Sequence, residues 1–258
     1  MQETTRQNVS PHGGAGWQAE TWRLTAFLTP GEQVGEPQWW TELAGESPES
    51  RNSSPRQGTL HEQGPYKGGI LSVSLRPGRV DLVISATPRD EASMGEDMPS
   101  LGLLSDSIET FRHLAVNWLA QAPSTNRLAV GNVLMRPVED RNEAYQLVAQ
   151  YVPGLRLDSE NISDLIYRIN RSRNSKVRPD LLINRVSSWS AIVGEVMTFE
   201  IPTAQTVQRR QLFVAARVEL DINTAPETST ELDRADLHDL LDEMIQLDLE
   251  IAERGDVP

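Results

Sequence analysis

The chain is predicted to be an α+β protein, an antiparallel sheet with helices packed on one face. Two features of the sequence predict it. Apolar β-prone runs recur as adjacent hairpins, and helical periodicity appears between and after them. The order is three strands and a long helix, a strand and a short helix, then about three strands and a closing helix. That order is compatible with two β-β-β-α halves, although no repeated motif links them.

Residues 1–16 are polar and glycine-rich, and they are expected to form a disordered tail. A single α+β domain is expected over 17–258. "TWRLTAFL", Thr21 to Leu28, alternates as a half-buried strand does, with Trp22, Leu24, Ala26 and Leu28 on one face. Trp39 and Trp40 follow, read as anchors near the sheet's edge. From Gly45 to Pro65 the chain is rich in Ser, Pro, Glu and Gly, so it lacks the apolar surface to offset its ordering entropy. A flexible insertion is expected at about 45–65.

"GGILSVSLRPGRVDLVISATP" places two strands around "RPGR", a hairpin signal. A Pro-Gly turn of type II matches strand twist poorly, which predicts a bulge or a longer loop there. "PRDEASMGEDMPS" is a second, acidic loop. "SDSIETFRHLAVNWLAQA" begins with a Ser/Asp cap signal, sets Ile108, Phe111, Ala115, Trp118 and Leu119 at helical spacing, and stops at Pro123.

"NRLAVGNVLMRPV" is a predicted strand. "EDRNEAYQLVAQYVP" is a short helix with Ala144, Leu147, Val148 and Tyr151 inward and Pro153 as its stop. A cap at Ser159 and half a helical turn lead into a basic loop, then a strand at Leu181–Val186. "SAIVGEVMTFEIP" and "QLFVAARVELDIN" are the next two strands. "TELDRADLHDLLDEMIQLDLEIAERG" has a capping-box pattern at Thr230 and Asp233. Its inward residues are Leu237, Leu240, Leu241, Met244, Leu247 and Ile251, with Gly255 to end it.

The 258 residues carry a formal net charge of −13, so the molecule as a whole repels nucleic acid and anionic membranes. Contact with nucleic acid is left to a local basic patch. There is no cysteine, which removes disulfides, thiolate nucleophiles and Cys-based zinc sites. No apolar leader opens the chain and no segment has the apolar length of a membrane span. A cytoplasmic protein without membrane contact is expected.

"RVELDINTA" sets Arg217, Glu219, Asp221 and Asn223 at alternate positions. One wet sheet face produces that pattern, whereas a magnesium or calcium site needs several converging oxygens. The four histidines, at 12, 61, 113 and 238, stand apart in sequence. None of the common nucleotide-binding or nucleophile motifs occurs. No cofactor, metal ligand or catalytic residue is assigned.

Charge is segregated along the chain. Between Ile162 and Pro179 lie Arg168, Arg171, Arg173, Lys176 and Arg178, with Asp164 as the one acid. Such a run grips phosphate or an acidic surface, with Tyr167 beside it for stacking; alternatively it pairs with the chain's own acidic helix. In the final helix Glu231, Asp233, Asp236, Asp239, Asp242, Glu243, Asp248, Glu250 and Glu253 are read as outward. Acids beyond the first turn do not help the helix dipole, so Asp236, Asp239, Asp242 and Glu243 are candidates for docking a basic partner.

The order "NRLAVGNVLMRPV", "AYQLVAQYVP", "LLINRV" and "LFVAARVELDIN" before a helix with "LH" resembles a sporadically distributed family of uncharacterised bacterial proteins. Asn126–Val133, Leu220–Asn223 and Leu237–His238 occupy the matching places. The insertion and the N-terminal opening depart from that pattern. The resemblance implies an accessory gene of defence or toxin–antitoxin type, without an activity.

A non-enzymatic protein-binding or assembly subunit is therefore the leading expectation, its partner encoded nearby. Two alternatives stand beside it. One is a metal-dependent phosphodiesterase or nuclease on Glu219 and Asp221; the other is a nucleic-acid-binding module on the Arg168–Arg178 loop.

Overall fold

A computed structural model of the protein describes residues 16–87, 98–157, 162–199, 207–226 and 231–256. Residues 1–15 of the expected tail with His12, residues 88–97 of the acidic loop, and the cap positions Ser159 and Thr230 lie outside the described residues. Those described form a mixed α+β fold dominated by one ten-stranded antiparallel sheet, with four α-helices.

In chain order the elements are β1 (Gln18–Leu28), α1 (Trp39–Ala44), β2 (Ser50–Ser54), β3 (Thr59–Tyr66), β4 (Gly69–Arg76), β5 (Arg79–Ala86) and α2 (Leu104–Leu119). Then come β6 (Thr125–Val138), α3 (Arg141–Tyr151), β7 (Ile166–Asn170), β8 (Arg173–Asn174), β9 (Leu182–Phe199), β10 (Val207–Thr224) and α4 (Leu237–Arg254). Across the sheet the order is β2-β3-β4-β5-β1-β6-β10-β9-β7, with β8 also on β9. β1 and β6 are thus central neighbours. In each half the last strand, β5 or β10, lies beside the first and the others run outward from it. A helix, α1 or α3, follows each first strand; α3 was expected after its strand, and α1 was not.

Most of the apolar periodicity is realised. Trp22, Leu24, Ala26 and Leu28 are buried along β1, and the inward residues of α2, α3 and α4 named above are buried too. Trp22 stacks on Phe111 of α2 at 4.8 Å, and its indole N–H donates to Ser107 Oγ at 3.1 Å, so the ring is packed and its polar tip satisfied. Tyr151 of α3 stacks on Trp189 of β9 at 5.3 Å. Trp39 and Trp40 are core anchors: Trp39 meets Trp118 edge-on at 5.6 Å, and Trp40 donates to the Leu71 carbonyl at 3.2 Å.

Several expectations are corrected. Residues 45–65, expected as a loop, carry β2, a short 3-10 turn at Pro55–Gln57 and β3. Leu60 and Glu62 are buried there, so alternating "LHEQGPY" wins over the polar composition. The β4–β5 turn needs no bulge: Pro77 and Gly78 suffice, Gly78 taking φ +75°, and Arg76 stays in register with Arg79. The half-turn of helix before the basic segment is absent from 162–165, and Ile166–Asn170 is a strand. Leu181–Val186 and the following run form one 18-residue strand, because Ser187–Ser190 keep the alternation unbroken.

Helix starts also differ. α2 begins at Leu104 with no side-chain cap, leaving Ser105 and Asp106 inside its first turn. α4 begins at Leu237, after Asp233, whose carboxylate accepts from the Ala235 amide instead. α3 is capped, although no cap was assigned to it from sequence: Asp140 accepts from Glu143 N, and Glu143 reaches back to Glu139 N.

Candidate functional site

On β10 the buried Val218, Leu220 and Ile222 alternate with Arg217, Glu219, Asp221 and Asn223. Glu219 accepts from Arg217 at 3.4 Å, Asp221 accepts from Asn223 at 3.1 Å, and Asp221 lies 3.9 Å from Arg23 of β1. Among the described residues no group of three or more His, Asp or Glu is placed to hold a metal ion. Glu219 and Asp221 behave as paired residues of a wet strand face.

Partners in antiparallel register point to the same side of a sheet, so this face can be traced strand by strand. Asp221 shares it with Gly131 of β6 and Val186 of β9, and Gly131 shares it with Arg23. Continuing outward, it carries Phe27, Arg127, Arg79, Asp81, Arg76 and Arg168. The register pairs put on it six arginines, at 23, 76, 79, 127, 168 and 217, and the carboxylates Asp81, Glu219 and Asp221.

Each of those carboxylates already has an arginine. Asp81 is nearly buried and accepts from Arg79 Nε and Nη2 at 2.9 and 2.6 Å and from Thr25 at 2.6 Å. Arg79 and Arg127 flank the Phe27 ring, 5.6 and 4.4 Å from its centroid. Arg76 and Arg168 are exposed and have no ion pair among the described residues. The face is therefore cationic in a chain of net charge −13.

The two segregated charge runs meet each other. Arg171 grips Asp256 with Nε at 2.5 Å and Nη2 at 3.0 Å, and Tyr167 donates to the same carboxylate at 3.1 Å. Its hydrogen bonds to Asp256 hold the Arg171 pKa above the ordinary value. Arg178 pairs with Asp180 at 3.0 Å and Asp236 at 3.5 Å. Glu243 accepts from Ser175 Oγ at 2.5 Å and from the Lys176 amide at 2.7 Å. Asp242 takes two hydrogen bonds from Arg112 of α2, at 2.8 and 2.7 Å, which hold its carboxyl below the ordinary value.

Of the four acids proposed for docking, Asp236, Asp242 and Glu243 are thus engaged internally, and Asp239 is exposed without an ion pair among the described residues. Of the basic set, Arg168 stands apart on β7, facing the opposite way from Tyr167. Arg171, Arg173 and Arg178 face acids near α4, and Lys176 lines a recess there.

Arg185 and Asp248 are buried charged groups whose burial was not read from the sequence. Arg185 of β9 is 4 % exposed; its nearest carboxylate oxygen is Glu250 Oε2 at 3.7 Å, which Arg173 also approaches at 3.4 Å. Burial pushes the Arg185 pKa down from the ordinary value. An arginine at an inward position of "LLINRVSSW" is the signal that marks it. Asp248, read as outward, is fully buried instead. It follows Leu241, Met244 and Ile245 at helical spacing, on the apolar stripe. Asn132 Nδ2 donates to Asp248 Oδ1 at 2.7 Å, while Asp248 Oδ2 and Asn132 Oδ1 have no partner. Burial pushes the Asp248 carboxyl up to about 8, opposed by the Asn132 hydrogen bond.

The described histidines take surface roles. His61 bonds Ser74 at 2.8 Å, His113 lies 3.2 Å from Asn117, and His238 is exposed. No helix among the described residues is long and apolar enough to cross a membrane. No protein-family model matches this chain, and no curated protein matches it in sequence.

Proposed function

We propose that the protein is a non-enzymatic protein-binding or assembly subunit that recognises an acidic surface of a partner protein through the arginine-bearing face of its sheet. The helices together cover the other face. That packing is supported by the contacts of Trp22 with α2, of Asn132 with α4 and of Trp189 with α3, three residues that register places on one side. The shared connectivity of the two halves supports a duplicated unit as the framework.

One observation carries the reading. Arg76 and Arg79 stand directly opposite across β4 and β5, a like-charge pair that destabilises a sheet, and the acid that shares their face, Asp81, is taken by Arg79 while Arg76 has no ion pair among the described residues. An acidic ligand supplies the missing counter-charge. A protein fits better than a nucleic acid, because a net charge of −13 repels an extended polyanion while a short acidic patch is drawn by the local arginines. Three of the four candidate docking acids on or next to the final helix, Asp236, Asp242 and Glu243, already have partners within the molecule, which favours the sheet face over the helix. That the partner is encoded nearby, in a defence-type setting, rests on the bacterial resemblance alone.

The test is affinity purification of the tagged protein from its native host, repeated with the double variant R76E/R168E. Neither side chain has an ion pair to lose within the described fold. Loss of a stoichiometric partner from the variant supports the reading, and equal recovery by both proteins removes it.

A further inference from the structure

Independently of any protein partner, the end of α4 holds a cationic site with too few acceptors. Arg185 is buried, its Nε has no hydrogen-bond partner, and its closest carboxylate oxygen, at 3.7 Å, is beyond hydrogen-bonding distance. Arg173 Nε is likewise buried without a partner. The two guanidiniums share a single oxygen, Glu250 Oε2, at 3.7 and 3.4 Å. A guanidinium carries five N–H donors, and leaving a buried charge so poorly bonded is strongly unfavourable.

Arg171 shows what a satisfied arginine looks like in the same neighbourhood, with both of its bonds taken by Asp256. Beside Arg173 an open recess of about 330 Å³ also presents Lys176 and Arg254, together with Gln246, Glu250 and Glu253. Neither Lys176 nor Arg254 has an ion pair among the described residues. Five cations, at 171, 173, 176, 185 and 254, face four carboxylates, at 243, 250, 253 and 256. Asp256 is occupied by Arg171, and Glu243 by Ser175 and the Lys176 amide.

We propose that this recess binds a phosphate-class oxyanion, which takes donors from Arg173, Lys176 and Arg254 and leaves Glu250 to Arg185. Tetrahedral oxyanions suit such a site, because each oxygen accepts from more than one donor and guanidinium meets phosphate in a two-bond fork. Glu250 then needs to serve one arginine instead of two. The ligand is either the free ion or the terminal group of a phosphomonoester, and the recess is open to both.

Thermal unfolding of the full chain is measured with sodium phosphate, with phenyl phosphate and with sodium chloride at matched ionic strength. A saturating rise in Tm with phosphate over chloride is expected, since a ligand bound only to the folded state stabilises it. A larger rise with phenyl phosphate identifies a phosphomonoester, and a rise with phosphate alone identifies the ion. R173Q, at a side chain one-third exposed, and K176Q are expected to fold and to lose the rise. Equal responses to phosphate and chloride, or undiminished responses in both variants, overturn the proposal.

Discussion

Asn132 of β6 donates to Asp248 of α4 at 2.7 Å in a fully buried contact, tying the final helix to the centre of the sheet. Burial raises the Asp248 carboxyl to about 8. A carboxyl raised above its unfolded value favours folding in its protonated form. Its stabilising contribution is complete below about pH 4, declines above that, and is lost as pH passes about 8. Asp248→Asn keeps the shape and both hydrogen-bonding functions without the titration. Its unfolding midpoint is expected to vary less between pH 5 and 9 than that of the parent, and to exceed it at pH 9. Parallel pH profiles for the two proteins would remove Asp248 as the titrating group.

Gly255 closes α4 at φ +77°, where a Cβ would lie 1.9 Å from the Tyr151 carbonyl oxygen that also accepts from Asp256 N. Gly255→Ala therefore meets both backbone strain and a clash with rigid backbone. A loss above about 2 kcal/mol is expected in denaturant unfolding. A loss below about 0.5 kcal/mol would mean that the chain end simply moves away.

Arg112 and Asp242 join α2 to α4 by two hydrogen bonds, but their side chains are 47 % and 42 % exposed. Exposure screens the pair, so Asp242→Asn is expected to cost no more than about 1 kcal/mol. The swapped pair R112D/D242R should recover part of it. A cost several times larger would show that the pair does more than staple the two helices.

Arg76→Thr separates function from stability. Removing one member of the opposed Arg76–Arg79 pair is expected to stabilise the hairpin by about 0.5 kcal/mol while weakening capture of an acidic partner. A variant that is both less stable and fully competent to bind would contradict the role given to that pair.

The elements that could be read from sequence are those where burial follows a period. β1, α2, α3 and the inward stripe of α4 were all legible from apolar spacing. β2 and β3 were not, because Ser50–Ser54 is an edge strand with polar side chains on both faces and β3 buries Glu62 and Leu60 amid polar neighbours. The charge runs were visible, but whether Arg171 met phosphate or Asp256 depended on a contact across 85 positions. The row of Arg76, Arg79, Phe27 and Arg127 spans four strands. Only its first pair, flanking Pro77-Gly78, is adjacent in the chain, so cross-strand register was needed to see the rest.

The measurement that tests the central claim most directly is a quantitative pull-down of the co-purifying partner by the parent, by R76E/R168E and by D239K. Asp239 is the one proposed docking acid with neither an ion pair nor a side-chain hydrogen bond among the described residues, so D239K probes the helix without removing an internal contact. Recognition through the sheet predicts a loss of about tenfold or more for R76E/R168E and parent-like binding by D239K. The reverse pattern would return the docking role to the acidic helix and contradict the assignment of the arginine-bearing face.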